Sequence, residues 1–333
     1  MKTCAGARPK PFFLLVLAIC GFLVMGVILE SVTDVQLFCR GSTFLTTPFN
    51  GRYRLKHDLA HSSFGRPFFG VNYTIIFNAV PKTGSRTLET AVKNLSTAKR
   101  VGKPMRCVPI PAETWQSKQN FEDFLSLKKP PLFMRGHASF PAIDRPDLLY
   151  IGIVREPVDR VISQFNFMLH GDASTNYQPV MEPERKKILD DLGVTTIDDC
   201  YYSSSTVCQS FLDNLRSTTI RIFCGMHPDC RTPSRWSLRK AIENVDRYTV
   251  VGLQSYFSDM VKILETLGPD AFGGLYEAYE FVKRNTTKKF STSKKIVPSN
   301  RTFMLLKKDM KLEYEFYHYV EEKFFKLKKR LKI

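Results

Sequence analysis

Acidic residues are scarce in this chain of 333 residues: 32 Asp and Glu stand against 49 Lys and Arg, a formal charge of +17. No carboxylate cluster with metal-ligand spacing can be recognised, so no metal is expected. The sequence G-x-x-x-x-G-K-[ST] is also missing, which disfavours a Mg-dependent NTPase or P-loop kinase. Glycine (18) and proline (19) are sparse and aperiodic, which excludes collagen-like, mucin-like and coiled-coil chains. With 43% hydrophobic residues, general disorder is excluded as well. What remains is a folded chain with a surplus of positive charge. Such a surplus fits a polyanionic partner, or else an ordinary solvated surface.

Long uncharged runs are absent with one exception, Phe12 to Leu29, which as a helix of about 27 Å just crosses a bilayer. Lys2, Arg8 and Lys10 precede it and Glu30 and Asp34 follow, which puts the N-terminus in the cytosol and the body in the lumen. The rival reading, a cleaved signal peptide, expects a shorter apolar region, and Leu29-Glu30-Ser31 is a poor cleavage site. The expected organisation is a cytosolic tail (1–11), a signal anchor (12–29), a stem (30–70) and a luminal domain (71–333). Four sequons, at Asn72, Asn94, Asn285 and Asn300, agree with a luminal body, although Asn94 falls in a helical stretch that faces the core. Cys200 and Cys208 lie close in sequence, as do Cys224 and Cys230, a spacing that favours two local disulfides in an oxidising compartment. A zinc site is the sharper alternative, but C-x7-C followed by C-x5-C is not a usual metal spacing. The pairing of Cys39 and Cys107 stays open.

From Tyr73 the pattern alternates between strands and helices. Tyr73-Thr-Ile-Ile-Phe-Asn-Ala-Val80 reads as a buried strand, Pro81 to Thr87 as a loop, and the stretch to Leu95 as a helix. Leu148 to Val154 reads as a second strand, with Pro157 opening a helix to His170. Tyr248 to Leu253 gives a third strand, followed by a helix from Ser255 to Leu267. The C-terminus, Lys311 to Ile333, reads as a charged helix ending in a basic cluster. This alternation predicts an α/β fold with a mostly parallel central sheet and helices on both faces.

Three segments carry chemistry. In Pro81-Lys-Thr-Gly-Ser-Arg-Thr87, Gly84 lets an anion approach the backbone closely. The helix start presents free N–H groups, and Lys82, Arg86, Ser85 and Thr87 add charge and hydroxyls. The same pattern is compatible with an ordinary βα turn. Arg155 sits at the end of the second strand, with Ser163 two helical turns on, and two anion sites on one sheet suit a nucleotide with phosphates at both ends. Arg155 paired to Glu156 or Asp159 is the alternative. His137, after the strand-like run Leu132 to Gly136, is placed to enter a cleft. Imidazole accepts a proton near neutral pH, although a lone histidine is more often structural.

Together these segments are similar to the uronyl 2-O-sulfotransferase and heparan sulfate 2-O-sulfotransferase family. Pro81 to Thr87 resembles its 5′-phosphosulfate loop, and Val154-Arg-Glu-Pro-Val-Asp-Arg160 through Ser163 its 3′-phosphate motif. Phe223 to Cys230, Ser234-Arg-Trp236 and Val251-Gly-Leu253 match too. Tyr314 to Val320 and Lys294 to Ser299 are more like the uronyl branch, which acts on dermatan and chondroitin sulfate.

The resemblance implies a P-loop-like sulfotransferase fold and 3′-phosphoadenosine-5′-phosphosulfate (PAPS) as donor. Lys82, Thr83, Gly84, Ser85, Arg86 and Thr87 would hold the donor's 5′ end, Arg155 and Ser163 its 3′-phosphate, and Lys289 a late cofactor loop. His137 falls on the general base, with Lys82 as catalytic partner. The family's disulfides map onto Cys200–Cys208 and Cys224–Cys230. The implied partners are a glycosaminoglycan chain and the Golgi membrane, with no nucleic acid, and the analogy suggests a homotrimer. Two positions depart from the pattern: Ala79 stands where the family has Arg, and Arg135 where the heparan branch has a second histidine. Arg135, Arg185 and Lys186 are candidates for binding substrate, as are Arg221 and Arg231, each against the alternative of a solvated charge.

The resulting expectation is a Golgi type II enzyme that sulfates O-2 of uronic acid in dermatan or chondroitin sulfate. Heparan sulfate iduronate is the alternative acceptor, and a non-catalytic glycosaminoglycan-binding membrane protein is the alternative class.

Overall fold

A strand that reads as an unbroken apolar run needs cover on both sides, and β1 (Thr74–Ala79) has it, with all six residues buried. The computed structural model describes residues 62–98 and 105–333. The expected tail and anchor, most of the expected stem, and Cys39 lie outside the described residues. Helix α1 (Ser85–Ala98) buries Leu88, Ala91, Val92 and Leu95, a spacing that lines one face of a helix. Then come β2 (Arg106–Pro109), α2 (Lys118–Ser126), β3 (Leu132–Gly136) and β4 (Leu148–Val154). Helix α3 (Pro157–His170) starts where Pro157 takes the first turn and the Glu156 carboxylate accepts from the Asp159 N–H; Gly171 follows its end.

A run of short helices follows: α4 (Pro183–Asp191), α5 (Ile197–Tyr202), α6 (Thr206–Arg216), α7 (Thr218–Cys224) and α8 (Arg235–Val245). Strand β5 (Val250–Leu253) leads to α9 (Phe257–Leu267), α10 (Pro269–Phe272), α11 (Leu275–Thr286), α12 (Asn300–Asp309) and α13 (Lys311–Leu331). The five strands are parallel, in the order β2-β3-β1-β4-β5. Strand β2 has no counterpart in the sequence reading. It is an edge strand whose residues are half-buried or exposed, so it has no apolar run to recognise.

Two cores result. One surrounds the sheet; the other joins α3 to the helical lobe, where Val161, Phe165 and Leu169 pack with Leu189, Phe211 and Leu212. Cys200 pairs with Cys208 and Cys224 with Cys230, with Cα separations of 5.1 and 5.5 Å, so the first bridge ties α5 to α6 inside that lobe. Cys107 pairs with no cysteine among the described residues. The residues just ahead of β1, expected as stem, run along the body: Ser63, Gly65 and Phe68 donate backbone hydrogen bonds to Asp246, Thr249 and Leu267, each of 2.7 Å.

The register fixes the site. Asn78 lies opposite both Gly136 and Gly152, so β1, β3 and β4 end together. The loop after β1, His137 after β3 and Arg155 after β4 therefore leave the same edge of the sheet. Chain connections from β1 run to one side and those from β4 to the other, a switch point of the kind at which open α/β sheets bind ligands.

Candidate active site

The loop after β1 is shaped by two residues in the left-handed region, Lys82 at φ +66° and Gly84 at φ +88°. A Cβ on Gly84 would stand 2.8 Å from the Phe257 ring, so both the turn and its packing demand glycine. Lys82 holds the same region at a steric cost, a departure concentrated at functional sites. Thr83 is buried and its hydroxyl donates back to the Val80 carbonyl at 2.8 Å, leaving its backbone N–H as its contribution to a ligand. Ser85 is buried at the first turn of α1, Arg86 and Thr87 are half-buried, and the helix N-terminus offers its free amides there.

Cations crowd this loop. Lys82 Nζ donates to Thr292 Oγ1 at 3.1 Å and lies 4.1 Å from the centre of the Phe167 ring. Burial, aided by the charges of Arg86, Arg155 and Lys295, pushes the Lys82 ammonium down to about 8, while Asp172 pulls the other way. Arg86 is clamped by Asp172 and Ser174 and sits between the Phe167 and Phe290 rings, 5.5 and 4.8 Å from their centres. Burial opposes ionisation of Asp172, yet the hydrogen bonds from Arg86 and Ser174 hold its carboxyl below the usual range. Arg155 Nη1 donates to the Lys82 carbonyl at 3.4 Å, and burial lowers its pKa. Its Nε is buried with no protein partner. A buried donor of that kind wants an acceptor. A phosphate brought to Arg155 would supply one, so this residue fits a phosphate-bearing donor. Ser163 is half-buried on the second turn of α3.

His137 stands next to this cluster in the register. Its Nδ1 lies 2.7 Å from the Ala79 carbonyl oxygen. A carbonyl can only accept, so Nδ1 carries the hydrogen and the neutral ring has its lone pair on Nε2. One side of the residue is open to a cleft and protein encloses the rest. That enclosure, with the charges of Arg135 and Arg86, lowers its pKa below the ordinary imidazole value, against the Ala79 bond. At neutral pH the imidazole is therefore neutral.

The cleft has a volume of about 280 Å³ and runs from Pro81, His137 and Ser139 to a wall made by Gln164, Arg185, Asn214 and Arg221. No Asp or Glu lines it. Behind that wall, fully buried Arg160 donates to Gln164 Oε1 at 2.6 Å and to the Leu215 carbonyl. Burial pushes this guanidinium down to about 10, while the nearby carboxylate of Glu313 from α13 favours its charged form.

The sequence-derived candidates separate clearly. The structure brings Lys82, Gly84, Ser85, Arg86, Arg155 and His137 to one edge of the sheet and places Arg185 on the cleft. Arg135 turns instead to Glu89, at 2.6 Å, and Lys186 to Asp190, so neither lines the cleft. Lys289 is exposed in the short 3-10 turn Thr287–Phe290; the members of that late segment facing Lys82 are Thr292 and Lys295. Phe167, Asp172, Thr292 and Asn214 were not read from the sequence. Asp172 and Thr292 meet through an isolated antiparallel bridge between distant loops, for which no local sequence signal exists. Among the described residues no group of three or more His, Cys, Asp or Glu is arranged to hold a metal.

The sulfotransferase family profile matches residues 68–320. The chain belongs to the sulfotransferase family. The chain is 31% identical over 271 residues to the uronyl 2-sulfotransferase of Homo sapiens, covering 77% of the chain and 63% of that protein. It is 28% identical over 267 residues to heparan sulfate 2-O-sulfotransferase hst-2 of Caenorhabditis elegans, covering 75% and 78%. With heparan sulfate 2-O-sulfotransferase 1 of Homo sapiens the identity is 29% over 264 residues, covering 75% and 70%. The match thus spans less than two thirds of the uronyl relative's own length.

Proposed function

We propose that the protein transfers the sulfuryl group of PAPS to the 2-hydroxyl of uronic acid residues in dermatan or chondroitin sulfate. The observation that carries this reading is a neutral histidine opening onto a carboxylate-free, arginine-bearing cleft, one strand away from a loop crowded with cations. PAPS supplies the sulfuryl group and a phosphate as leaving group. Lys82 and the backbone amides at the start of α1 stabilise the charge that grows on that phosphate. Arg155, with its spare buried Nε, holds the opposite end of the nucleotide. His137 takes up, at Nε2, the proton that the sugar hydroxyl releases, and the Ala79 carbonyl fixes the tautomer that makes this possible. The remaining work is alignment of acceptor and donor.

The preference for a uronyl acceptor in dermatan or chondroitin sulfate rests on the relatives named uronyl 2-sulfotransferase, at 31% identity. Relatives named heparan sulfate 2-O-sulfotransferase, at 28–30% identity, keep heparan sulfate as the second reading. A Golgi type II placement is part of the same proposal. It is supported by the apolar run 12–29, by the paired cysteines of the body and by the exposure of Asn72, Asn285 and Asn300. The test is incubation of the full-length protein with labelled PAPS and desulfated dermatan, chondroitin or heparan chains, without added divalent metal. Label on O-2 of uronic acid is expected, most of it in dermatan or chondroitin. Transfer to heparan alone would favour the second reading, and binding of every chain with transfer to none would leave a non-catalytic glycan-binding protein.

A further inference from the structure

Two carboxylates follow Arg155 closely in the chain, Glu156 and Asp159, and it forms an ion pair with neither. Burial lowers the Arg155 pKa while the charges of Asp159 and Glu156 oppose that change, so both stand within electrostatic reach. An adjacent carboxylate free to turn would close on the guanidinium and cover the N–H donors that a phosphate needs. Glu156 is not free to turn. Its Oε2 accepts from the Asp159 N–H at 2.6 Å, capping α3, and its Oε1 accepts from the Tyr314 hydroxyl. With both oxygens engaged elsewhere, Arg155 Nε is left buried without a partner. Asp159 is exposed on the first turn of α3, where water and salt screen its charge.

Tyr314 reaches this carboxylate from 158 residues away in the chain. Helix α13 puts it there. Glu313, its neighbour, is buried, and its Oε1 accepts from the Ile220 N–H of α7 at 2.9 Å. Two residues beyond Tyr314, the Phe316 ring packs on that of Phe223 with centres 5.0 Å apart. The start of α13 is thus pinned to α7 on both sides of Tyr314, while Tyr314 itself packs against the core of the helical lobe. Burial and the bond to Glu156 push the phenol above its ordinary range, so it stays protonated and remains a donor at any working pH.

We infer that Tyr314 is a positioning residue for the donor site: it holds Glu156 away from Arg155, so that the guanidinium stays open to a phosphate. This inference rests on the proposed function, in which Arg155 takes one end of the nucleotide. Tyr314 acts through Glu156 alone. Without its hydroxyl the freed Oε1 turns to Arg155, and phosphate must then displace an internal carboxylate. Removal of the hydroxyl therefore costs donor affinity and leaves the chemical step as it was.

The experiment measures calorimetric binding of adenosine 3′,5′-bisphosphate to the full-length protein, for the native chain, Tyr314→Phe, Glu156→Gln and the double variant. Tyr314→Phe is expected to weaken binding about 5-fold, the scale of a partly exposed ion pair. In turnover the same variant should raise KM for PAPS by that factor and keep kcat at saturating PAPS. Glu156→Gln retains an oxygen to cap α3 but has no charge with which to occupy Arg155. Alone it should bind at native affinity or tighter, and in the double variant it should restore what Tyr314→Phe loses. Unchanged affinity in Tyr314→Phe, or a loss that Glu156→Gln does not restore, would overturn the inference, the latter by making Tyr314 a packing residue. Weaker binding by Glu156→Gln alone would overturn it as well. If the native protein binds no bisphosphate, the proposed function itself fails. The crystal structure of Tyr314→Phe then decides the positioning role: Glu156 turned onto Arg155 upholds it, and Glu156 left in place overturns it.

Discussion

The two sides of the site follow opposite electrostatic plans. On the loop side burial, together with the charges of Arg86, Arg155 and Lys295, pushes Lys82 down to about 8, and Asp172 offsets part of that charge. On the wall side Arg185 and Arg221 stand apart, with no carboxylate among the residues that line the cleft. A crowded, half-buried group of cations suits a compact, highly charged ligand bound in one pose, because that ligand relieves repulsion already present in the protein. Separated arginines suit a polymer whose charges arrive at intervals. His137 lies where the two plans meet, and variants on either side should affect different steps.

The largest effect is expected where the plans meet. His137→Ala should lower kcat by about 100- to 10,000-fold, the usual contribution of a positioned base. Affinity for adenosine 3′,5′-bisphosphate should stay unchanged, since the loop side is untouched. Retained turnover in this variant would remove His137 from the proton transfer.

A smaller effect, and one that tells the sides apart, lies in the pH profile of kcat/KM. Burial lowers the His137 pKa, so the base is in its neutral, working form at neutral pH and activity falls as pH drops through that lowered value. Lys82 must be charged to hold phosphate, so activity falls again as pH rises through about 8. Lys82→Arg should shift the alkaline limb to higher pH and leave the acid limb in place, since a guanidinium stays protonated across this range. An alkaline limb that does not move would detach Lys82 from the profile.

The same contrast explains how much could be read from the sequence. The loop side is continuous in the chain: a buried strand, seven residues of loop and a helix whose apolar spacing declares itself, and β1, β4 and α3 appear where the runs predicted them. Cys200 with Cys208 and Cys224 with Cys230 were legible because their partners are near neighbours. The wall side is assembled from α3, α4, α6 and α7, and a residue such as Asn214 means nothing until those helices are packed. The bridge that brings Thr292 beside Lys82 is likewise a product of tertiary structure. Arg135 could not be placed for a similar reason: it pairs with Glu89 of α1 and is not among the residues that line the cleft, which its sequence distance from His137 conceals.

The claim beneath all of this is that one edge of the sheet grips a nucleotide by both phosphates. Isothermal titration of the full-length protein with adenosine 3′,5′-bisphosphate tests it directly, with Arg155→Ala as the partner experiment. Binding to the native protein, weakened about 10- to 100-fold by removal of that charged donor, is the expected result. No heat of binding to the folded native protein, or the same affinity in Arg155→Ala, would contradict it.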